Sequence, residues 1–186
     1  MEKIVVKLED SLNRVNFIFK NEKITTECID DYNRFSILGS NFGPFEKGEK
    51  YTIPFFVALP LIKNNILKIA LNEKCDNVDV QRYAISERDN QMLLQRDHLY
   101  FLNKIKEFKF FIEKEVEEKN KPKINSDLFT SYSTNIVDSR LLKLLKLAKS
   151  NLSVEDERRL TTSENILFNK LSELIKGWRM FFLNNK

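Results

Sequence analysis

The chain has 186 residues, with 31 basic and 27 acidic side chains and a formal charge of only +4. That balance excludes a strongly basic nucleic-acid binder, and 42% hydrophobic with 11% aromatic residues excludes a disordered chain. A chain of this length buries about 70% of the surface it would expose unfolded, so a core forms without metal or disulfide staples.

Glycine and proline crowd toward the start. Gly39, Gly43, Gly48, Pro44, Pro54 and Pro60 all precede residue 61, and only Pro122 and Gly177 follow. Short strands joined by tight turns use such punctuation, whereas helices avoid it. Ile4-Val5-Val6, residues 15–19 and residues 35–38 are β-branched or aromatic runs that read as strands. The stretch 51–61 reads either as an edge strand or as a helix opened by Pro54. Residues 66–71 make one more strand-like run.

From about residue 76 the period becomes helical. Ser86 with Asp89 reads as a capped start, followed by Leu94, His98, Phe101, Ile105, Phe108, Ile112 and Val116 at three- and four-residue steps. The polar run 117–127, with Pro122 inside it, ends that helix. A second helix carries Val137, Leu141, Leu144, Leu145 and Ala148. Ser153 with Asp156 caps a short third helix, and Thr161 with Glu164 caps a last one bearing Leu167, Leu171, Leu174, Ile175, Trp178, Phe181 and Phe182. The expected fold class is α+β: a small N-terminal strand-rich domain, 1–72, then a larger all-helical bundle, 73–186, with a linker at 72–79.

Candidate chemistry is sparse. His98 is the one histidine, and Cys28 and Cys75 stand far apart, so zinc-ligand spacing is missing. No glycine-rich phosphate cradle can be written from four glycines. Asp30-Asp31, Asp76 with Asp79, and Glu155-Asp156-Glu157 read as solvated turns and helix-start charge, since acid–base pairs need a cleft that separates their pKa values. His98 reads as a packed or rim residue, the cysteines as small hydrophobes, and Lys104, Lys106 and Lys109 among Phe108 and Phe110 as a solvated face. No cofactor is expected. Neither a membrane span nor a signal-peptide core is visible, and two unspaced cysteines suit a reducing compartment, so a soluble intracellular protein is expected.

The helices are nevertheless too apolar for single stripes. Leu93, Tyr100, Leu102, Phe110, Phe111, Ile136, Leu142, Leu147, Phe168 and Met180 all fall off the main faces. A domain of this size has too few elements to cover them, so another chain is expected to; the alternative is an unusually thick helical core. Phe101, Phe108, Phe111, Leu142, Leu145, Trp178, Phe181 and Phe182 are the predicted subunit interface, rich in the residue types of interface cores.

One stretch resembles a known family. Phe42-Gly43-Pro44-Phe45-Glu46-Lys47-Gly48, followed by Ile53-Pro54-Phe55-Phe56-Val57-Ala58, is similar to the signature of GINS, the small replication complex that joins the MCM ring in the replicative helicase. The likeness is to the archaeal-type subunit class whose β domain precedes its helical domain, and Phe56 stands where that class often has tryptophan. Gly43, Gly48 and Pro44 make a stiff turn that is expected to present Phe42 and Phe45. Asp138-Ser139-Arg140 with Lys143, and Leu160-Thr161 with Glu164, are similar to the family's D-x-R-x-x-K stretch and to the start of its final helix. The resemblance implies a non-enzymatic scaffold subunit. It further implies a second GINS subunit of swapped domain order, in a 2:2 tetramer, with the MCM helicase and a RecJ-like protein as partners. The implied location is cytoplasmic at the nucleoid, or nuclear in a eukaryote. The alternative is a nucleic-acid-binding accessory protein acting without GINS partners, and a third reading is a small hydrolase with an unrecognised acid pair.

Overall fold

The computed structural model describes residues 2–150 and 152–183, with side chains from residue 5 onward. It is α+β: a small antiparallel sheet region early in the chain, then a larger helical part. The elements run α1 (Glu2–Lys20), β1 (Lys23–Cys28), β2 (Phe35–Ile37), β3 (Ser40–Phe42), β4 (Lys50–Pro54), α2 (Phe55–Lys63), β5 (Leu67–Ile69), α3 (Asn77–Asp89), α4 (Phe101–Glu117), α5 (Ile124–Leu147), α6 (Val154–Arg159) and α7 (Thr162–Leu183). They form two compact units, Phe17–Lys74 and the chain up to Asn16 together with Cys75 onward.

The strand unit is a three-stranded antiparallel sheet in the order β4-β1-β5, with β2 and β3 as a separate hairpin. β1 alternates, burying Ile24, Thr26 and Cys28, as a strand with one covered face must. Thr26 resolves its buried hydroxyl by donating to the Tyr51 carbonyl at 3.0 Å. Residues 51–61 turn out to be both readings in sequence. β4 ends at Pro54, whose φ of −56° and ψ of 142° are extended, and Phe55 then opens α2. Phe55, Val57, Ala58 and Leu61 of α2 are buried, and Phe19 meets Phe55 at 5.4 Å.

Two expectations need correction. The strands read at Ile4-Val5-Val6 and at 15–19 are one helix, α1. Leu8, Leu12, Val15 and Phe19 lie on its covered side at three- and four-residue steps, and that period outweighs the β-branched runs. Ser86 does not start a helix either, because it lies inside α3. That helix is capped by Asp76, which accepts from the Val78 and Asp79 backbone N–H groups while Asp79 answers the Asp76 N–H. α4 begins only at Phe101, so Leu94 and His98 precede it in an irregular segment. There His98 Nδ1 accepts the Tyr100 N–H at 3.0 Å.

The helical unit is built on α3, α4, α5 and α7. Phe101, Ile105, Phe108 and Ile112 form the buried face of α4. Leu93, Leu144, Ala148, Leu160 and Phe168 form a second core, against which Leu167, Leu171 and Ile175 of α7 pack. A polar chain runs through the unit: Asn103 donates to Asn16, Asn16 to Glu107 and Ser163 to Asn103. α6 starts on Ser153, whose hydroxyl accepts the Asp156 N–H.

Candidate protein–protein interface

The signature turn sits in the strand unit. Gly43 has φ +83° and precedes Pro44 across a cis peptide bond. A Cβ at Gly43 would lie 3.0 Å from the Phe45 ring and 3.3 Å from the Arg34 backbone, so glycine is required by space as well as by dihedral. Gly48, at φ +89°, donates its N–H to the Cys28 carbonyl and ties the turn to β1. Phe45 is not presented by the turn, contrary to expectation. It is buried, paired with Tyr32 through two 2.9 Å backbone hydrogen bonds, with its ring 4.8 Å from that of Tyr51. Phe42 is half-buried against Phe35 at 5.8 Å. The turn is therefore an anchor, and Pro54, Phe56 and Ala58 belong to the corner where β4 passes into α2.

In the helical unit the two weaker sequence likenesses come together. Arg140 is 1% exposed, and all five of its N–H donors are used. Nε and Nη2 grip Glu164 at 2.5 and 2.8 Å, Nη1 reaches Glu87 at 2.8 Å, and the Leu94 and Arg159 carbonyls take the remaining two. Glu87 also accepts from Lys143 at 2.7 Å and Arg96 at 2.5 Å. Glu164 closes the cap of α7 by accepting from both the N–H and the hydroxyl of Thr161 at 2.8 Å. Four charges, Glu87, Arg140, Lys143 and Glu164, are thus enclosed and paired, with Arg96 half-buried beside them, and pairing is the condition under which buried charge is tolerated. Burial pushes the Glu87 carboxyl up, but the Lys143 hydrogen bond and the Arg140 and Arg96 charges more than offset it, so it stays below the ordinary carboxylate range. Burial likewise works against the Arg140 cation, and Glu164 and Glu87 outweigh it, leaving its pKa raised.

This network decides which way α5 faces. Its buried residues are Phe129, Ile136, Arg140, Lys143 and Leu144. Of the stripe expected to be inward, Leu144 and Ala148 are buried, but Val137 is 48% exposed, Leu141 36% and Leu145 37%, one row at four-residue steps; Leu142, expected off that stripe, is 62% exposed. α7 behaves similarly at its far end. Its inward stripe continues through Leu174, Trp178 and Phe182 after the cover has run out, and every residue from 176 to 183 is exposed. Trp178 is 65% and Phe181 79% exposed, with the Phe182 ring 5.0 Å from Trp178 and 4.9 Å from Phe181.

Of the predicted interface residues, Leu142, Leu145, Trp178, Phe181 and Phe182 are on these bare rows. Phe101 and Phe108 are not, because α4 uses them for the chain's own core, and Phe111 is half-buried with its ring 5.3 Å from Phe108. Glu87 and Arg96 carried no signal in the sequence. Glu87, which both arginines share, lies 53 residues from Arg140, and only the three-residue spacing of Arg140 and Lys143 hinted at a shared face.

Elsewhere, Asp76, Asp79 and Asp156 serve helix starts. Lys104 lies over the Phe108 ring at 5.1 Å. Burial pushes the Cys75 thiol up to about 12, and Cys28 up as well. Among the described residues there is no group of three His, Cys, Asp or Glu that could hold a metal, and no helix long and apolar enough to cross a membrane. No protein-family model and no curated protein matches the chain.

Proposed function

We propose that this chain is a non-enzymatic subunit of a GINS-type replication complex. It assembles with a second subunit of swapped domain order, two copies of each, and the assembly supports the MCM helicase together with a RecJ-like partner at the fork. The observation that carries the reading is α5, which encloses Arg140 and Lys143 while leaving Val137, Leu141, Leu142 and Leu145 in water. A helix facing this way buries Leu144 in its own core but gains little from Leu142 and the outward row until another chain covers them. Obligate interfaces are cores cut in half, and the bare rows of α5 and α7 have that composition.

Two further features support the family. The residues resembling its helical motifs, Arg140, Lys143, Thr161 and Glu164, meet in one buried network. The residues resembling its β-domain signature meet in one anchored turn. The reading implies work at the chromosome, in the cytoplasm or the nucleus according to cell type.

The test is the native mass of the tagged chain recovered from its own cells, with every accompanying chain identified. An assembly near four subunits' mass containing a second chain of swapped domain order is expected. A 22.0 kDa monomer with no accompanying chain overturns the reading. Nucleic acid bound by that monomer, with affinity falling steeply as salt rises, would favour the accessory-protein alternative.

A further inference from the structure

α5 carries two bare rows side by side, each running at four-residue steps. The first is Val137, Leu141 and Leu145, and the second is Asp138, Leu142 and Lys146. Residues at that step lie nearly one above another on a helix, so the two rows make one strip. The second row has a leucine at its centre and opposite charges one turn away on either side. Neither charge has an opposite charge three or four residues along α5, so the helix does not neutralise them itself.

Such a row is complementary to itself when a second copy is turned end for end. An antiparallel pair centred on Leu142 stacks that leucine on its counterpart. It also sets Asp138 of each copy beside Lys146 of the other, since both lie four residues, about 6 Å, from the centre. Val137, Leu141 and Leu145 then fall at different heights in the two copies, so their side chains interleave rather than collide. A parallel pair would instead set like charge against like. α7 lacks this property: past Glu173 its bare end carries Lys176 and Arg179 and no acid, so two copies of it would repel.

We infer that α5 is the contact between two copies of this chain, packed antiparallel about a twofold axis at Leu142. Twofold pairs are the commonest symmetric assemblies, and each uses one patch on both molecules. The inference rests on the reading of α5 given above and deepens it by naming the chain that covers this helix, leaving the end of α7 to the unlike subunit. Six residues a side are fewer than the roughly 20–30 of a standard interface, so the pair is weak by itself and the full assembly draws on α5 and α7 together.

Sedimentation equilibrium of the chain alone is the test. The mass is expected to rise from 22.0 kDa toward twice that value as concentration goes from about 10 µM to about 1 mM. Asp138→Lys and Lys146→Asp should each weaken pairing about 10-fold or more, and the double variant should return to within about 3-fold of wild type, because exchanging both charges restores both contacts. A mass fixed at 22.0 kDa, unchanged pairing in the single variants, or no recovery in the double variant overturns the inference. A chain that stays single alone, yet is recovered from cells with a subunit of swapped domain order, overturns the self-pairing and leaves the family reading standing. A self-pair recovered without such a subunit does the reverse.

Discussion

The strand unit and the helical unit spend their apolar residues in opposite ways. In the first, Phe19, Phe45, Phe55 and Leu67 are enclosed and the charges stay outside, the ordinary solution for a small domain. In the second, Arg140, Glu87, Glu164 and Lys143 are enclosed, while Leu142, Trp178, Phe181 and Phe182 face water. The first unit encloses no charge, although Phe17, Leu38 and Leu71 on its surface are exposed. A unit of the second kind makes sense as part of something larger, with a polar clamp fixing the helices and leaving their apolar rows for a neighbour.

The clamp is where the comparison breaks most easily. Arg140→Ala leaves Glu87 and Glu164 enclosed without their shared partner, and the expected loss is about 3–5 kcal/mol of helical-unit stability in urea unfolding. A loss under about 1 kcal/mol would show that the clamp is solvated. In the strand unit the largest comparable effect comes from the signature turn. Gly43→Ala meets both the positive φ and the Phe45 ring, and should cost about 2 kcal/mol, whereas Gly39→Ala meets open space and should cost about 1 kcal/mol. Equal losses at the two glycines would mean that crowding by Phe45 is relieved.

Acid sharpens the contrast. Glu87 titrates below its ordinary value in the folded chain, so its contribution is present above the ordinary carboxylate range, near pH 4.3, and is lost as pH falls through the lower folded value. The urea midpoint of the helical unit should therefore hold steady from neutral pH to about pH 5 and then fall, with Glu87→Gln flattening that limb. An unchanged acid limb in the variant would assign the fall to other carboxylates. The smallest effect is chemical. With its thiol pushed up to about 12, Cys75 should react with a maleimide only at the rate at which the unit opens. Fast labelling of folded protein would show Cys75 exposed.

How much of this was legible follows from how local each determinant is. The Thr161–Glu164 and Ser153–Asp156 caps span three residues, and both were readable. The α+β order was readable from glycine and proline. α1 was misread because Ile4-Val5-Val6 and residues 15–19 look like strands in short windows, while its helical period needs the whole 19-residue span. α5 was misread for a deeper reason. Val137 and Leu141 were assigned to the core by hydrophobicity, but Arg140 and Lys143 were drawn inward by Glu87, 53 and 56 residues distant, and no local pattern reports such a partner. The opposite error placed the buried Phe101 and Phe108 at the interface, because an excess of apolar faces can be counted in a sequence before it can be located.

The central claim is that the outward rows of α5 and α7 are covered by another chain, and the most direct test pairs mass with melting. Leu145→Asp and Trp178→Asp are each predicted to reduce the native mass of the assembly to that of the lone chain, while the isolated variant melts within a few degrees of isolated wild type. An assembly that keeps its full mass through both substitutions would contradict the claim.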